Sequence, residues 1–342
     1  MADPRFYDRL GPLTLNEIAA LSGAAISVSA KGDLAVGEVA PASEAGPATL
    51  CYIESRKAMD TRSAPFDGVA VLAPAALEDA LNERGAHVLV HPAARAAFAR
   101  GLAGLFRPRA LPSQDRIHST ARIAASARIA WSASIGAGAE IGDDVEIGPG
   151  AVIGPGCRIG AQGRVGAHAT IMCADIGTGC NILAGAVIGE AGFGVAVSPD
   201  GLVDMPHLGT VEIGDSVTIG ANSCVDRGLF GPTRIGEGTK IDNLCHIGHN
   251  CQVGRNVAMA AYAGVSGSCI IEDGVMFGGR VGVQDHLKVG AGARIGGNSA
   301  LAEDVPAGET WMGDPAQPLR QYLRQVAEVR RLARAKGNKK KD

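Results

Sequence analysis

Aliphatic residues recur at every sixth position over most of this chain. From Ile235 to Leu301 each of positions 235, 241, 247, 253, 259, 265, 271, 277, 283, 289, 295 and 301 holds Ile, Val, Met, Phe or Leu, and the next residue is often Gly. The same period runs from Ile117 to Ile171, resumes one residue out of step at Ile176, Ile182 and Ile188, and returns at Ile213, Ile219 and Val225. A six-residue period fits neither the period of about 3.6 of a helix nor the alternation of a strand. It describes a solenoid in which each hexapeptide forms one side of a triangular coil. Three hexapeptides close a turn of eighteen residues, and neighbouring coils pair as parallel strands ~4.8 Å apart. Residues eighteen apart therefore stack. The pattern predicts roughly nine coils and a prism about 45 Å tall. It breaks from Glu190 to Glu212, and interruptions of such regularity usually serve function, so this insertion is a candidate lid or pocket wall.

Outside the repeat the pattern changes. Residues 1 to 112 read as a small α/β domain, with an amphipathic helix at Leu15–Leu21, buried strands at Gly68–Leu72 and His87–Val90, and an Ala-rich helix from Pro92 to Phe106. Arg107–Asp115, with two prolines and mixed charge, reads as a linker. The coil then occupies 113–313. From 314 to 342 Leu319, Tyr322, Leu323, Val326, Val329 and Leu332 follow at spacings of three or four, a helix with one apolar seam that wants partners.

Composition agrees with the solenoid. Forty-eight glycines and 4% aromatics suit tight corners and a narrow aliphatic interior. The net charge of −3 hides an asymmetry, because Pro315–Asp342 holds nine Lys/Arg against two acids. That basic end could be a solvated tail or could dock on an acidic protein or on anionic lipid headgroups. No apolar run is long enough to span a bilayer and the N-terminus lacks a basic-then-apolar leader, so a cytoplasmic location is the default expectation. The eight cysteines form no CxxC pair. Cys157, Cys245, Cys251 and Cys269 fall at a phase otherwise held by small residues, and are expected as reduced, packed thiols, although Cys251 and Cys269 should stack one coil apart.

The segment Ile241–Asn250, IDNLCHIGHN, concentrates polar groups within the small-residue pattern. A histidine is the usual proton acceptor near neutral pH. Gly267 lies eighteen residues after His249, so a backbone without a side chain sits one layer away, where its N–H could receive an oxyanion. His286, thirty-seven residues after His249, should fall on the same edge. Base and oxyanion donor on adjacent coils are the minimum for acyl transfer. His246, His249 and His286 also number three, the ligand count of many catalytic zinc sites. Against a metal, His246 and His249 flank Ile247 at different phases and are expected to point to different sides.

Together with the Gly192-Phe193-Gly194 loop, Ile219–Gly228 (IGANSCVDRG) and Gly282–His286, these residues resemble the UDP-3-O-acylglucosamine N-acyltransferases of lipid A biosynthesis, within the hexapeptide-repeat acyltransferases. The resemblance covers nearly the whole length. It implies a left-handed parallel β-helix, a homotrimer with each site in a groove between prisms, and C-terminal helices gathered in a bundle. It further implies transfer of an (R)-3-hydroxyacyl group from acyl carrier protein to the 2-amino group of UDP-3-O-(3-hydroxyacyl)glucosamine, with no bound cofactor, no metal and no nucleic-acid partner. His249 matches the general base, Gly267 the oxyanion donor, and His286 a second histidine that orients substrate or the phosphopantetheine arm. Phe193, Asp242 and Asn243 are implied substrate-binding positions, the last two equally readable as corner residues, as are Asp226 and Arg227. The family's N-terminal domain holds uracil between two aromatics. Tyr52 keeps the first, whereas Ala58 replaces the second and Met59 or a neighbouring subunit would have to compensate. Ala300 falls where the acyl groove ends in a bulkier residue, which implies a longer channel here.

Three alternatives are weighed against this reading: the O-acylating relative of the same pathway, which lacks so large a non-repeating N-terminal domain; a zinc-dependent solenoid hydratase of the carbonic anhydrase kind; and a purely structural solenoid.

Overall fold

In the computed structural model of the chain, described over residues 2–110, 115–313 and 319–338, the six-residue period winds into a three-sided parallel β-helix. The first face has nine strands, from Arg122–Ile123 to Lys288–Val289; the second has ten, from Arg128–Ile129 to Thr310–Trp311; the third has nine, from Ser134–Ile135 to Ala300–Leu301. Most are two residues long, with the aliphatic residue inward and its predecessor outward, as in Glu146–Ile147 and His246–Ile247. Ile147 and Ile247 are buried, each such burial contributing roughly 1.5–3 kcal/mol. Pairing follows the eighteen-residue step: His246 lies beside Gly264, Gly264 beside Gly282, and Gly282 beside Ala300. Several corners need a left-handed backbone. Asn250 has φ 62° and His286 φ 61°, a conformation that short polar side chains tolerate best.

The cysteines pack as expected. All eight are free, and the buried Cys251 and Cys269 thiols donate to the Ser266 and Gln284 carbonyls, each at 3.0 Å. Where the period slips by one, Arg158 pairs with Asp175, and the outward Asp175 carboxylate takes Arg5 of the N-terminal part at 2.8 Å.

The N-terminal part is a mixed five-stranded sheet in the spatial order Ala25–Ile26, His87–Val90, Ala70–Ala73, Thr49–Tyr52, Glu38–Val39. Its helices are α1 (Leu15–Ser22), α2 (Arg56–Asp60), α3 (Glu78–Glu83) and α4 (Ala94–Leu105). Helix α1 starts at a reciprocal cap between Thr14 and Glu17 and stops at Gly23, φ 73°. The expected helices and strands are present within a few residues. The strand Thr49–Tyr52 and helices α2 and α3, too short for a periodic signal, are additions.

The stretch expected as a linker begins instead as structure. Phe106–Pro108 pairs antiparallel with Tyr7–Arg9, and Arg107 and Arg109 flank Asp8 at 3.4 and 3.3 Å. Pro108 breaks nothing there because it ends an edge strand, where a missing N–H is harmless. Residues 111–114 of that stretch lie outside the described residues.

The insertion leaves the third face as a long strand, Val187–Ala191, and forms an antiparallel hairpin, Val195–Ser198 with Gly201–Asp204, before returning at Val211–Ile213. The hairpin packs against α4, which buries Phe98 and Leu102 in the core shared with the prism. The insertion is thus clamped between the two parts of the molecule. Helix α5, Leu319–Asn338, ends the described chain. Its Leu323, Val329 and Leu332 are exposed, so a single chain leaves the seam uncovered, whereas Pro315, the Tyr322 side chain and residues 339–342 lie outside what is described.

Candidate active site

The third face turns into the first at three stacked corners, 248–250, 266–268 and 284–286. Backbone bonds tie them together: Ser268 N–H donates to the His249 carbonyl at 2.8 Å and His286 N–H to the Gly267 carbonyl at 3.1 Å. His249, Gly267 and Asp285 are therefore equivalent positions on successive coils. With Arg95, Phe193, Val195, Asp226, His246, Ser266 and His286 they line a recess of about 510 Å³.

At the centre is His249. A Cβ built on Gly267 would lie 2.7 Å from both Cε1 and Nε2 of its imidazole. The ring thus rests directly on that backbone, and any side chain at 267 would displace it. From the other side the Gly192-Phe193-Gly194 loop covers it. A Cβ on Gly192 would meet His249 Cβ at 2.7 Å, and one on Gly194 would meet His207 Cε1 at 2.8 Å. Both glycines are needed for this close approach. Phe193 between them projects to 88% exposure over the recess.

His207 is a site residue that sequence reasoning missed. Its ring centroid is 5.1 Å from that of His249, and its Nδ1 sits 2.9 Å from the Met205 carbonyl, which assigns the proton to Nδ1. Burial, then the nearness of His249, pushes its pKa down to about 4, so it is a neutral floor beneath the site. Tyr7 O–H donates to the Gly209 carbonyl at 2.7 Å, and the buried Arg227 donates to the carbonyls of His207 and Gly189 at 3.0 and 2.9 Å. Arg227 is thus a structural clamp on both ends of the insertion. Neither the period nor a motif pointed to His207, because the insertion has no register from which to measure.

Asp226, 8% exposed, holds its Oδ2 at 3.4 Å from His246 Nε2. Burial pushes its carboxyl above the usual range, an effect opposed by His246. The expectation that His246 and His249 point to different sides is corrected: both reach one recess, because His246 is the last outward residue of the third face beside the corner that carries His249. Among the described residues no group of three or more His, Cys, Asp or Glu side chains could hold a metal. Asp285 was within reach of sequence arithmetic, thirty-six residues after His249.

Other expected site residues fall elsewhere. Asp242 and Asn243 occupy the neighbouring edge of the prism and line no part of this recess. Asn243 Oδ1 accepts the Ala221 N–H at 2.6 Å and Asp242 Oδ1 accepts the Asn243 N–H at 2.7 Å, so within one chain they serve the corner. Tyr52 packs its ring 5.0 Å from that of Phe98. Met59 is buried in a second core of the N-terminal sheet and cannot supply the missing aromatic face. Ala300 lines a shallower groove of about 440 Å³ with Gly264 and Gly282, sharing His246 and Ser266 with the recess. A trough of small residues thus leads from the His249 chamber along the third face.

An imidazole seated on an unencumbered backbone, beside an apolar trough, can deprotonate a nucleophile and receive an oxyanion in one place. Such a site on a hexapeptide coil defines a transferase of the hexapeptide class. The family model described as "Bacterial transferase hexapeptide (six repeats)" matches residues 138–172 and 232–267. The UDP-3-O-acylglucosamine N-acyltransferase of Maricaulis maris is 56% identical over 98% of both chains, and that of Caulobacter sp. (strain K31) is 50% identical over 99% of both. Among solved structures, the UDP-N-acetylglucosamine acyltransferase of Francisella novicida is 27% identical over 61% of this chain and 73% of its own, with a TM-score of 0.46. The chain belongs to the UDP-3-O-acylglucosamine N-acyltransferase family and is an acyltransferase.

Proposed function

We propose that the protein transfers a 3-hydroxyacyl group from the phosphopantetheine thioester of acyl carrier protein to the 2-amino group of UDP-3-O-(3-hydroxyacyl)glucosamine. The observation that carries this reading is the His249 imidazole resting on the Gly267 backbone inside the recess. As the amine attacks the thioester carbon, His249 takes its proton and Gly267 N–H receives the developing oxyanion. Collapse of the intermediate forms the amide and expels the thiol, which takes up the proton. His286, one corner residue beyond Asp285, orients the thioester arm, and Phe193 closes the recess against water. The acyl chain runs along Gly264, Gly282 and Ala300, where the small Ala300 leaves room for a long chain.

The three parts of the chain divide this work: 1–112 holds the nucleotide through Tyr52, 113–313 performs transfer, and 314–342 assembles a homotrimer. The uncovered seam of α5 supports assembly. In a trimer the Asp242–Asn243 edge of one prism faces the His249 edge of the next, which gives those residues a role at the substrate that one chain alone does not. The basic end suits acidic carrier protein or anionic lipid, and no described helix is long and apolar enough to cross a membrane. We place the enzyme in the cytoplasm, where its carrier-protein donor is made.

The test is direct. Purified protein is incubated with acyl carrier protein thioesters and UDP-3-O-acylglucosamine, and product is followed by mass. Transfer is expected, with a loss of about 1,000-fold for His249→Ala, within the range for removal of a general base. Full turnover by that variant would refute the base assignment, and no product from the native protein would refute the function.

A further inference from the structure

Among the described residues Arg95 is the only arginine or lysine lining the His249 recess. Its Nε is buried without a hydrogen-bond partner, and among the described residues its guanidinium forms no ion pair or ring contact. Two other arginines of this region are engaged, Arg227 on two carbonyls and Arg100 with Ser198 and Asp200 of the hairpin. Buried donors in folded proteins are satisfied as a rule, and one that is not at a substrate recess calls for a ligand. The acids of the recess do not fill the role, since Asp226 faces His246 and neither it nor Asp285 pairs with Arg95.

The position of Arg95 says which ligand. It stands in the first turn of α4, one turn before Phe98, and the Phe98 ring packs against Tyr52. Arg95 therefore lies between the Tyr52 platform of the N-terminal sheet and the His249 chamber. A sugar nucleotide with its base toward Tyr52 and its amine at His249 has its diphosphate between those two points. A guanidinium presents a planar fork of donors that matches phosphate oxygens. We propose that Arg95 is a substrate-binding residue that grips the diphosphate of the acceptor. This inference rests on the proposed acyl transfer. It gives the nucleotide a polar hold where Ala58 and the buried Met59 leave no second aromatic face.

Binding of UDP and of uridine to the full-length protein, measured by calorimetry, tests the grip without turnover. Arg95→Ala and Arg95→Gln are expected to weaken UDP about tenfold or more while leaving uridine unchanged, and Arg95→Lys to fall between. In steady state the acceptor KM should rise by a similar factor, with kcat and the KM for the carrier-protein thioester within about threefold of native. Unfolding temperatures of the two truncating variants show that the fold is kept; if alanine lowers it, glutamine remains as the informative variant. Equal weakening of uridine and UDP, or no effect on either, would overturn the proposal. So would a rise confined to the thioester KM, which would assign Arg95 to the phosphodiester of the carrier arm. Failure of the native protein to transfer acyl groups while UDP binding behaves as stated would count against the proposed function and not against the grip.

Discussion

The lower coils and the coils around His249 share one backbone and differ in what they carry outward. On the first and second faces of the lower coils the outward positions are paired charges, Arg122 with Glu140 and Arg128 with Glu146, extended by Arg158 to Glu140 at 3.5 Å and Arg164 to Glu146 at 3.9 Å, and on the third face they are Ser134, Val152 and Thr170. Above, the same phase on the third face reads His246, Gly264, Gly282, Ala300. The inward aliphatics fix the coil in both regions, so the outward residues are free to become solvated ladders or a substrate trough. The second difference is the insertion. The lower coils run with no excursion longer than a corner, whereas the site coils receive the 190–212 hairpin, which α4 holds down over His249. The repeat supplies the register of the site, and its interruption supplies the cover.

Substitutions should therefore cost most where the two meet and least on the ladders. Gly267→Ala places a Cβ within 2.7 Å of the His249 ring and is expected to lower kcat about 100-fold with the fold intact, since a displaced base loses most of its contribution; kinetics beside circular dichroism checks both halves.

The His207 floor should show in stability. Its folded pKa lies near 4, whereas a histidine freed by unfolding titrates near 6.5. Between those values the unfolded chain binds the extra proton, so stability is full above about pH 6.5 and falls as pH drops toward 4. The span is on the order of 3 kcal/mol, and denaturant midpoints of native protein against His207→Gln across pH 4 to 7 should converge as pH falls. A constant gap would mean that His207 is not held neutral.

In the trough, Ala300→Met should shorten the preferred acyl chain, with about a tenfold loss on the longest substrate and little on shorter ones, read from a chain-length series of carrier-protein thioesters. Arg128→Ala should leave activity unchanged and the unfolding temperature within about 2 °C, because exposed pairs contribute little.

Much of this was legible in the letters. Twelve aliphatics in step from Ile235 announce three sides, and the eighteen-residue rise is enough to put Gly267 against His249. The packed thiols followed from the small-residue phase. What escaped has physical reasons. His207 sits in a segment with no period, so its neighbours depend on how the hairpin folds back onto α4. Phase separates His246 from His249 and yet both reach one recess, because phase gives a direction at a face but not beside a corner, where adjacent directions converge. Arg95 belongs to a part of the chain whose docking on the prism no repeat encodes. Asp242 and Asn243 lie on another edge, outside the His249 recess, where their side chains serve the corner.

On the proposed mechanism one imidazole and the bare backbone one coil above it work as a single centre. Activity of His249→Ala, Gly267→Ala and the double variant tests this. If the glycine matters because it seats that ring, Gly267→Ala should cost about 100-fold in the native background and less than about threefold once the imidazole is gone. An equal loss in both backgrounds would show that the two positions act independently and would contradict the account.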